Sequence, residues 1–231
     1  MLVKPIKTAL FKERASLNDF LDKYLPKIKN GDIVIITSKI VALSEGRFCQ
    51  PKNEAEKAKI IKEESELVIK TKHVYLTIKN GEVLANAGVD ESNANGKLIL
   101  LPKDSYLSAK LIRKLLLKKY RLKKLGVIIS DSRLLPLRAG VVGIALGYAG
   151  FKGIKNYVGK PDLFKRPFEF SKTDIADSLA TAAVLTMGEG TEKQPLCVIS
   201  DAPVSFTDHT NRKELKIDIK EDIYKPLFEK I

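Results

Sequence analysis

The sequence has little of several features that mark common classes of protein. Its only cysteines, Cys49 and Cys197, lie far apart and form no C-x-x-C motif, which argues against a structural zinc site and a disulfide framework. The longest apolar stretch that is almost free of charge, residues 139–151, is shorter than the ~18 residues of a membrane-spanning helix and is interrupted by glycines. The N-terminus has no apolar segment of a secretory signal, so we expect a cytoplasmic protein.

Two common signatures of phosphate binding and catalysis are also missing. No G-x-x-x-x-G-K-[ST] motif occurs, so the glycines between residues 140 and 153 favour close backbone packing over a phosphate-binding loop. His73 is predicted in a strand, and His209 lies in a polar segment without a partner that the sequence identifies. We therefore assign no general base.

Acidic residues are scarce relative to basic ones: 28 Asp and Glu against 41 Lys and Arg give a net charge of +13. Residues 110–124 hold eight Lys and Arg and no acid, and Leu111, Ile112 and Leu115 recur at helical spacing. This pattern predicts an amphipathic helix with a solvated basic face. Aromatic residues, only 7% of the chain, do not alternate with these lysines, so a stacking surface for nucleic acid is unsupported. The charge favours anionic ligands, and nucleic-acid binding stays a minor alternative.

Hydrophobic periodicity and turn residues predict an α+β chain. The clearest local signal is Asn80-Gly81 between two strand-like runs, which predicts a tight hairpin. The predicted helices are one that Ser16 caps, one over residues 54–70, one over 105–120 and one over 173–187 that Thr173 caps. The predicted buried strands are "GDIVIIT", which passes into a loop at Ser38 and Lys39, "GVIIS" and "LCVIS".

Three carboxylates follow apolar segments that should be buried. Asp90 stands in "NAGVDESN", Asp131 in "VIISDS" and Glu189 in "TMGEG". Turn chemistry explains most aspartates at such positions. Together, however, these carboxylates would repel one another at the edge of the core unless a divalent cation neutralised them. Oxygen ligands of this kind suit Mg²⁺ or Mn²⁺.

Six blocks of the sequence resemble, in order, those of the coenzyme F420-0:γ-glutamyl ligase family. They are "GDIVIITSKIVALSEGR", "NAGVDESN", "LLPKDSYLSAKLIR", "VIISDS", "DLFKRPFEF" and "IADSLATAAVLTMGEG". The resemblance covers about residues 8–200 and implies a two-lobed α+β protein, with residues 1–231 forming one catalytic unit. It also implies an enzyme that joins L-glutamate to a carboxylate of a phosphate-bearing deazaflavin, using GTP and Mn²⁺ or Mg²⁺, in an intertwined homodimer.

The same resemblance assigns roles to individual residues. The implied metal ligands are Asp90, Asp131, Ser132 and Glu189. The implied nucleotide-binding residues are Ser38, Lys39, Asn93, Met187, Gly188 and Gly190. Lys39 and Arg138 are our candidates for the catalytic cations that steady the transferred phosphate and a substrate carboxylate.

Three leucines depart from the family pattern. Leu134 and Leu135 replace the Gly-Arg of a Gly-Arg-Pro-x-Arg motif, and Leu43 stands where the family usually has a nucleotide-contacting Lys. These changes leave ATP open as the nucleotide and favour a different acceptor, such as a folate or another pterin-like carboxylate. A metal-dependent phosphohydrolase that uses the same carboxylates remains the main alternative.

Overall fold

The computed structural model describes residues 1–228, and its centre is a five-stranded mixed sheet. In spatial order the strands are β1 (Leu2–Ile6), β12 (Leu196–Ser200), β2 (Ile33–Thr37), β8 (Gly126–Leu134) and β9 (Val141–Ala149). Strands β2 and β8 run parallel, and all other neighbours in this sheet are antiparallel. The carboxyl ends of β2 and β8 therefore lie side by side.

Helices cover both faces of this sheet, which explains why β2 is apolar throughout. Val34 and Ile36 pack on one face with α1 (Leu17–Tyr24), α2 (Ser38–Ser44) and α4 (Ser105–Tyr120). Ile33 and Ile35 pack on the other face with α5 (Ile175–Met187). Two further helices are α3 (Glu54–Glu63) and the short α6 (Lys225–Phe228).

Three smaller sheets lie outside the central one. The largest contains β4 (Leu67–Lys70), β5 (Tyr75–Lys79) and β6 (Glu82–Ala85). The two-stranded sheets pair β3 (Phe48–Cys49) with β7 (Leu98–Ile99), and β10 (Ile154–Asn156) with β11 (Lys172–Asp174). The predicted mixture of helices and sheets is confirmed, whereas the single catalytic unit and its lobe boundary stay predictions.

Several elements were predicted correctly from local signals. Asn80 and Gly81 have φ of 53° and 72° and join β5 to β6 in the predicted hairpin. The Oγ of Ser16 accepts a hydrogen bond from the amide of Asp19, so it caps α1 as expected. Helix α4 spans the predicted residues 105–120.

Two predictions about secondary structure were wrong in part. Ser38 and Lys39 begin helix α2 rather than a loop, because the Oγ of Thr37 caps the amide of Lys39 and the next turn packs into the core. The helix predicted over residues 54–70 ends at Glu63, and residues 67–70 instead pair with β5. Pairing with a partner strand outweighed the helix-like alternation of Glu and Lys.

Two boundaries also moved slightly. Asp174, not Thr173, caps α5, since its carboxylate accepts the amide of Asp177. His73 lies in a bend just before β5 rather than within the strand.

The predicted close packing at glycines is confirmed on β9. A Cβ on Gly143 would lie 2.5 Å from the carbonyl oxygen of Ala180 in α5, and one on Gly147 would lie 2.5 Å from the backbone of Ser105 in α4. Both helices therefore approach β9 at distances that only glycine permits.

No helix within residues 1–228 has the length and apolar character needed to cross a membrane.

Candidate functional site

Two segments that carry acidic residues meet at the carboxyl end of β2 and β8. The register of β8 against β9 shifts between Ile129 and Ser130, just before Asp131. The Oγ of Ser38, the first residue after β2, donates to Oδ1 of Asp131 over 3.3 Å. Asp90 follows a short 3-10 turn and forms an isolated bridge with Ile99. Residues far apart in sequence thus reach one end of the central sheet.

These segments enclose a cavity of about 410 Å³, a size that accommodates a small molecule. Nine of the ten residues predicted for the metal and nucleotide sites line it. They are Lys39, Asp90, Asn93, Asp131, Ser132, Met187, Gly188, Glu189 and Gly190. Ser38 is buried behind the wall and contacts Asp131 from there.

Asp90 is held by three hydrogen-bonding groups. Its Oδ1 accepts the amide of Ser92 over 2.6 Å, and its Oδ2 accepts the Oγ of Ser92 over 3.0 Å. The ammonium of Lys39 lies 2.8 Å from the same Oδ2. Burial raises the pKa of Asp90, but the contacts with Lys39 and Ser92 outweigh burial and hold this pKa below its ordinary value. Asp90 is therefore ionised at neutral pH.

Asp131 has the opposite electrostatic environment. The pKa of its carboxyl is raised to about 7, mainly by burial and also by the negative charges of Asp90 and Glu189, whereas hydrogen bonds from Ser132 and Ser38 lower it. A nearby positive charge would strongly stabilise the ionised form of a carboxyl with these neighbours.

The loop after α5 closes the third side of the cavity. Gly188 ends the helix with φ of 81°, and Glu189 accepts a hydrogen bond from the Oγ of Ser132 over 3.2 Å. The Nδ2 of Asn93 donates to the carbonyl oxygen of Gly190 over 3.0 Å. Two hydrogen bonds thus join this loop to β8 and to the segment that carries Asp90.

Sequence comparison identifies the family. A model of the family described as F420-0:Gamma-glutamyl ligase matches residues 5–201. The chain belongs to this family. Similar relatives include a coenzyme F420:L-glutamate ligase of Methanococcus maripaludis strain C7, 35% identical over 92% of both chains. Others bearing that name are from Methanocaldococcus jannaschii, 35% identical over 92% of this chain and 91% of its own, and Archaeoglobus fulgidus, 32% identical over 82% and 83%.

Membership of the F420-0:γ-glutamyl ligase family confirms the prediction of a ligase.

The three leucines that depart from the family pattern differ in their position relative to the cavity. Leu43, where the resemblance implies a lysine, lines the cavity and contributes apolar surface there. Leu134 and Leu135 are exposed near the end of β8 and do not line the cavity. Arg138 lies in the exposed turn between β8 and β9, also outside the lining, so its catalytic role stays a prediction.

Two residues of the site were missed by sequence reasoning. Ser92 contacts both Asp90 and Lys39, and the Asp-x-Ser spacing typical of a side-chain-capped turn is a signal that could have found it. Ser130 lines the cavity, and its buried Oγ has no hydrogen-bond partner in the described part of the chain. No sequence pattern marks Ser130, because its position depends on the register shift between β8 and β9.

The cavity is lined by oxygen ligands of the type that hard divalent cations prefer. The unsatisfied Oγ of Ser130 and the crowded carboxyl of Asp131 both lie where a cation could be accommodated. As the side chains stand, however, no group of three or more His, Cys, Asp or Glu within residues 1–228 is arranged to hold a metal ion. Asp90 instead pairs with Lys39.

Proposed function

We propose that this chain joins L-glutamate by an amide bond to a carboxylate of a deazaflavin- or folate-like acceptor, using GTP or ATP and Mn²⁺ or Mg²⁺. The acceptor carboxylate attacks the γ-phosphorus, which releases the nucleoside diphosphate and leaves an acyl phosphate. The amine of glutamate then attacks the acyl carbon, which releases inorganic phosphate, and the amine proton passes to solvent. Activation is needed because a carboxylate is a poor electrophile.

The observation that carries this proposal is the arrangement of Asp90, Asp131, Ser132 and Glu189 around one cavity beside Lys39, in a member of a ligase family. Mn²⁺ or Mg²⁺, when bound by these four residues, would supply positive charge beside the phosphate oxygens.

The protein's own side chains would bind and orient the reactants. The ammonium of Lys39 lies at the cavity wall and would bind the transferred phosphate as a point charge. Ser38 fixes the orientation of the Asp131 carboxyl, and Asn93 holds the loop after α5 against the opposite wall. Leu43 and Val184 would exclude water from one side of the bound nucleotide.

The names of the relatives support a deazaflavin acceptor, whereas the departures from the family pattern support a change of substrate. Leu43 removes a cation from the nucleotide cavity, which weakens the case for GTP in particular. Leu134 and Leu135 remove an anion contact that a phosphate-bearing acceptor would use. We therefore include folates and other pterin-like carboxylates as acceptors.

Mass spectrometry of complete reactions tests the proposal. Each reaction contains the protein, Mn²⁺ or Mg²⁺, GTP or ATP, L-glutamate, and one acceptor from a panel of deazaflavins and folates. The expected product is the acceptor carrying one added glutamyl unit, with an equal amount of nucleoside diphosphate. Nucleotide cleavage that is equally fast without glutamate, and that yields no adduct, would instead identify a phosphohydrolase.

We also propose the homodimer that the family resemblance implies. The hairpin between β10 and β11 exposes Leu163, Phe164 and Phe170, whose side chains are 97%, 83% and 85% accessible. Large apolar side chains at such exposure favour burial against another surface. A second copy of the chain is the occupant that the family resemblance supports.

A further inference from the structure

The contacts of Lys39 suggest a second role for this residue, beyond holding phosphate. Its Nζ donates to the carbonyl oxygen of Ser92 over 2.7 Å and to the Oγ of Ser92 over 3.1 Å, and it lies 2.8 Å from Oδ2 of Asp90. The ammonium therefore occupies the position beside Asp90 that a cation bound to this carboxylate would take. Both cannot occupy it together, because two positive charges would share one oxygen.

Asp90 itself has little freedom to avoid this conflict. The amide and hydroxyl of Ser92 engage one carboxylate oxygen each, and the backbone of Asp90 exchanges two hydrogen bonds with Ile99. The ammonium of Lys39, by contrast, is at the end of a flexible side chain, and the residue lies in the first turn of α2. When a metal ion binds, Lys39 is the partner that must move.

We infer that Lys39 is a built-in counter-ion that blocks Asp90 from binding metal until a nucleotide is present. This inference rests on the proposed function and deepens it. In the free protein the ammonium neutralises Asp90. When a nucleotide enters the cavity, its phosphates attract the ammonium of Lys39, and Asp90 becomes available to the metal ion that accompanies the phosphates. Lys39 thus acts as a positioning residue that couples binding of the metal ion to binding of the nucleotide.

Mn²⁺ binding to the nucleotide-free protein, followed by electron paramagnetic resonance, tests this coupling directly. Lys39→Met should bind Mn²⁺ about three- to tenfold more tightly than the wild type, because a half-exposed ion pair no longer competes. Lys39→Arg keeps the charge and should restore weak binding. A purely structural role of Lys39 predicts the opposite sign for Lys39→Met, since a damaged site binds metal less well.

Lys57→Met provides a matched control for the general electrostatic field. Lys57 pairs with Glu91, the neighbour of Asp90 in the chain, but does not contact Asp90. Its removal deletes one positive charge nearby and should leave Mn²⁺ affinity unchanged. Equal tightening in Lys57→Met and Lys39→Met would overturn the inference, as would unchanged or weaker binding in Lys39→Met.

The addition of GTP or ATP separates this inference from the proposed function. Nucleotide should strengthen Mn²⁺ binding less in Lys39→Met than in the wild type, because the block has already been removed. If Mn²⁺ binds but Lys39→Met behaves as the wild type, the inference fails and the proposed metal site stands. If no variant binds Mn²⁺ with or without nucleotide, the inference and the proposed metal site fail together.

Discussion

At the scale of single residues, the two aspartates of the cavity have opposite protonation behaviour. The ammonium of Lys39 keeps Asp90 ionised, whereas burial raises the pKa of Asp131 to about 7. The difference follows from position: Ser92, two residues after Asp90, supplies it with hydrogen-bond donors, whereas Asp131 in β8 is buried near the carboxylates of Asp90 and Glu189. Neither environment could be derived from the type of residue alone.

Replacing either aspartate by asparagine should abolish most glutamyl transfer. Asn keeps the size of the side chain but removes the negative charge that a divalent cation requires, so Asp90→Asn and Asp131→Asn should each lose at least about 100-fold in initial rate. Adduct formation at saturating Mn²⁺ measures this loss. Glu63→Gln, on an exposed part of α3 that does not line the cavity, is the matched control and should keep the wild-type rate. Full activity in both aspartate variants would refute the assignment of metal ligands.

At the scale of elements, strand β9 determines how closely two helices approach the central sheet. Gly143 admits the backbone of α5, and Gly147 admits the start of α4. Helix α5 ends at the loop that carries Glu189, so this packing sets one wall of the cavity.

A methyl group at Gly147 should destabilise the protein through this close contact. The added Cβ would lie 2.5 Å from the backbone of Ser105, so we expect Gly147→Ala to lower the free energy of unfolding by about 2–4 kcal/mol. Gly96→Ala is the control, because Gly96 has φ of 77° but no atom within 4 Å of an added Cβ. It should cost only about 1 kcal/mol from backbone strain. Urea unfolding measures both, and equal losses would contradict the packing argument.

The N-caps of α5 and α4 should respond to pH in opposite directions. Burial raises the pKa of Asp174 to about 6, so the folded state binds more protons than the unfolded state between pH ~4 and 6. The stabilising contribution of Asp174 is therefore complete below pH ~4 and is lost as the pH rises to 6. Asp174→Asn keeps a good capping side chain. Between pH 4 and pH 8 its free energy of unfolding should rise by about 1–2 kcal/mol relative to that of the wild type.

Asp104, the N-cap of α4, is the control with the opposite sign. Burial raises its pKa, but Arg212 and the amide of Leu107 outweigh burial and leave the pKa below its ordinary value. Its contribution is present above the unfolded pKa and is lost as the pH falls. Asp104→Asn should therefore be less stable than the wild type at pH 8, and this difference should shrink towards low pH. Parallel pH trends for the two variants, measured by urea unfolding, would contradict these assignments.

At the scale of the whole molecule, the cavity is assembled from segments that contribute to different sheets. Lys39 follows a strand of the central sheet, whereas Asp90 bridges to β7 of a two-stranded sheet. The positive net charge is spread more widely, and it suits an enzyme whose proposed substrates are a nucleotide, an amino acid and an anionic acceptor.

Exposed apolar residues of the hairpin between β10 and β11 give the proposed homodimer a direct test. Phe164→Ser combined with Phe170→Ser should shift the protein from dimer to monomer in light scattering after gel filtration, because it removes apolar area from the interface. Leu111→Ser, which removes an exposed apolar side chain from α4, should leave the dimer intact. A wild-type protein that is monomeric at micromolar concentration would refute the proposal.

The sequence predicts those parts of the molecule that depend on near neighbours. Asn80-Gly81 and the cap at Ser16 act within a few residues, and α4 has enough periodic residues to be recognised. Residues 67–70 were misassigned because their strand exists only through pairing with β5. The residues of the cavity were identified through family motifs, but the pairing of Lys39 with Asp90 and the exposure of Arg138 depend on contacts between distant segments.

The hydrogen bonds that Asn93 and Ser132 form between separate segments also link ligand binding to folding. A ligand that enters the cavity contacts only the folded arrangement of β8, the loop after α5 and the segment around Asp90, so mass action shifts the equilibrium away from unfolded chains. At a hundred times its dissociation constant, such a ligand contributes about 2.7 kcal/mol to the free energy of unfolding. The substrates of this enzyme are thus also its stabilisers, and the protein is expected to be most sensitive to heat and proteolysis when they are scarce.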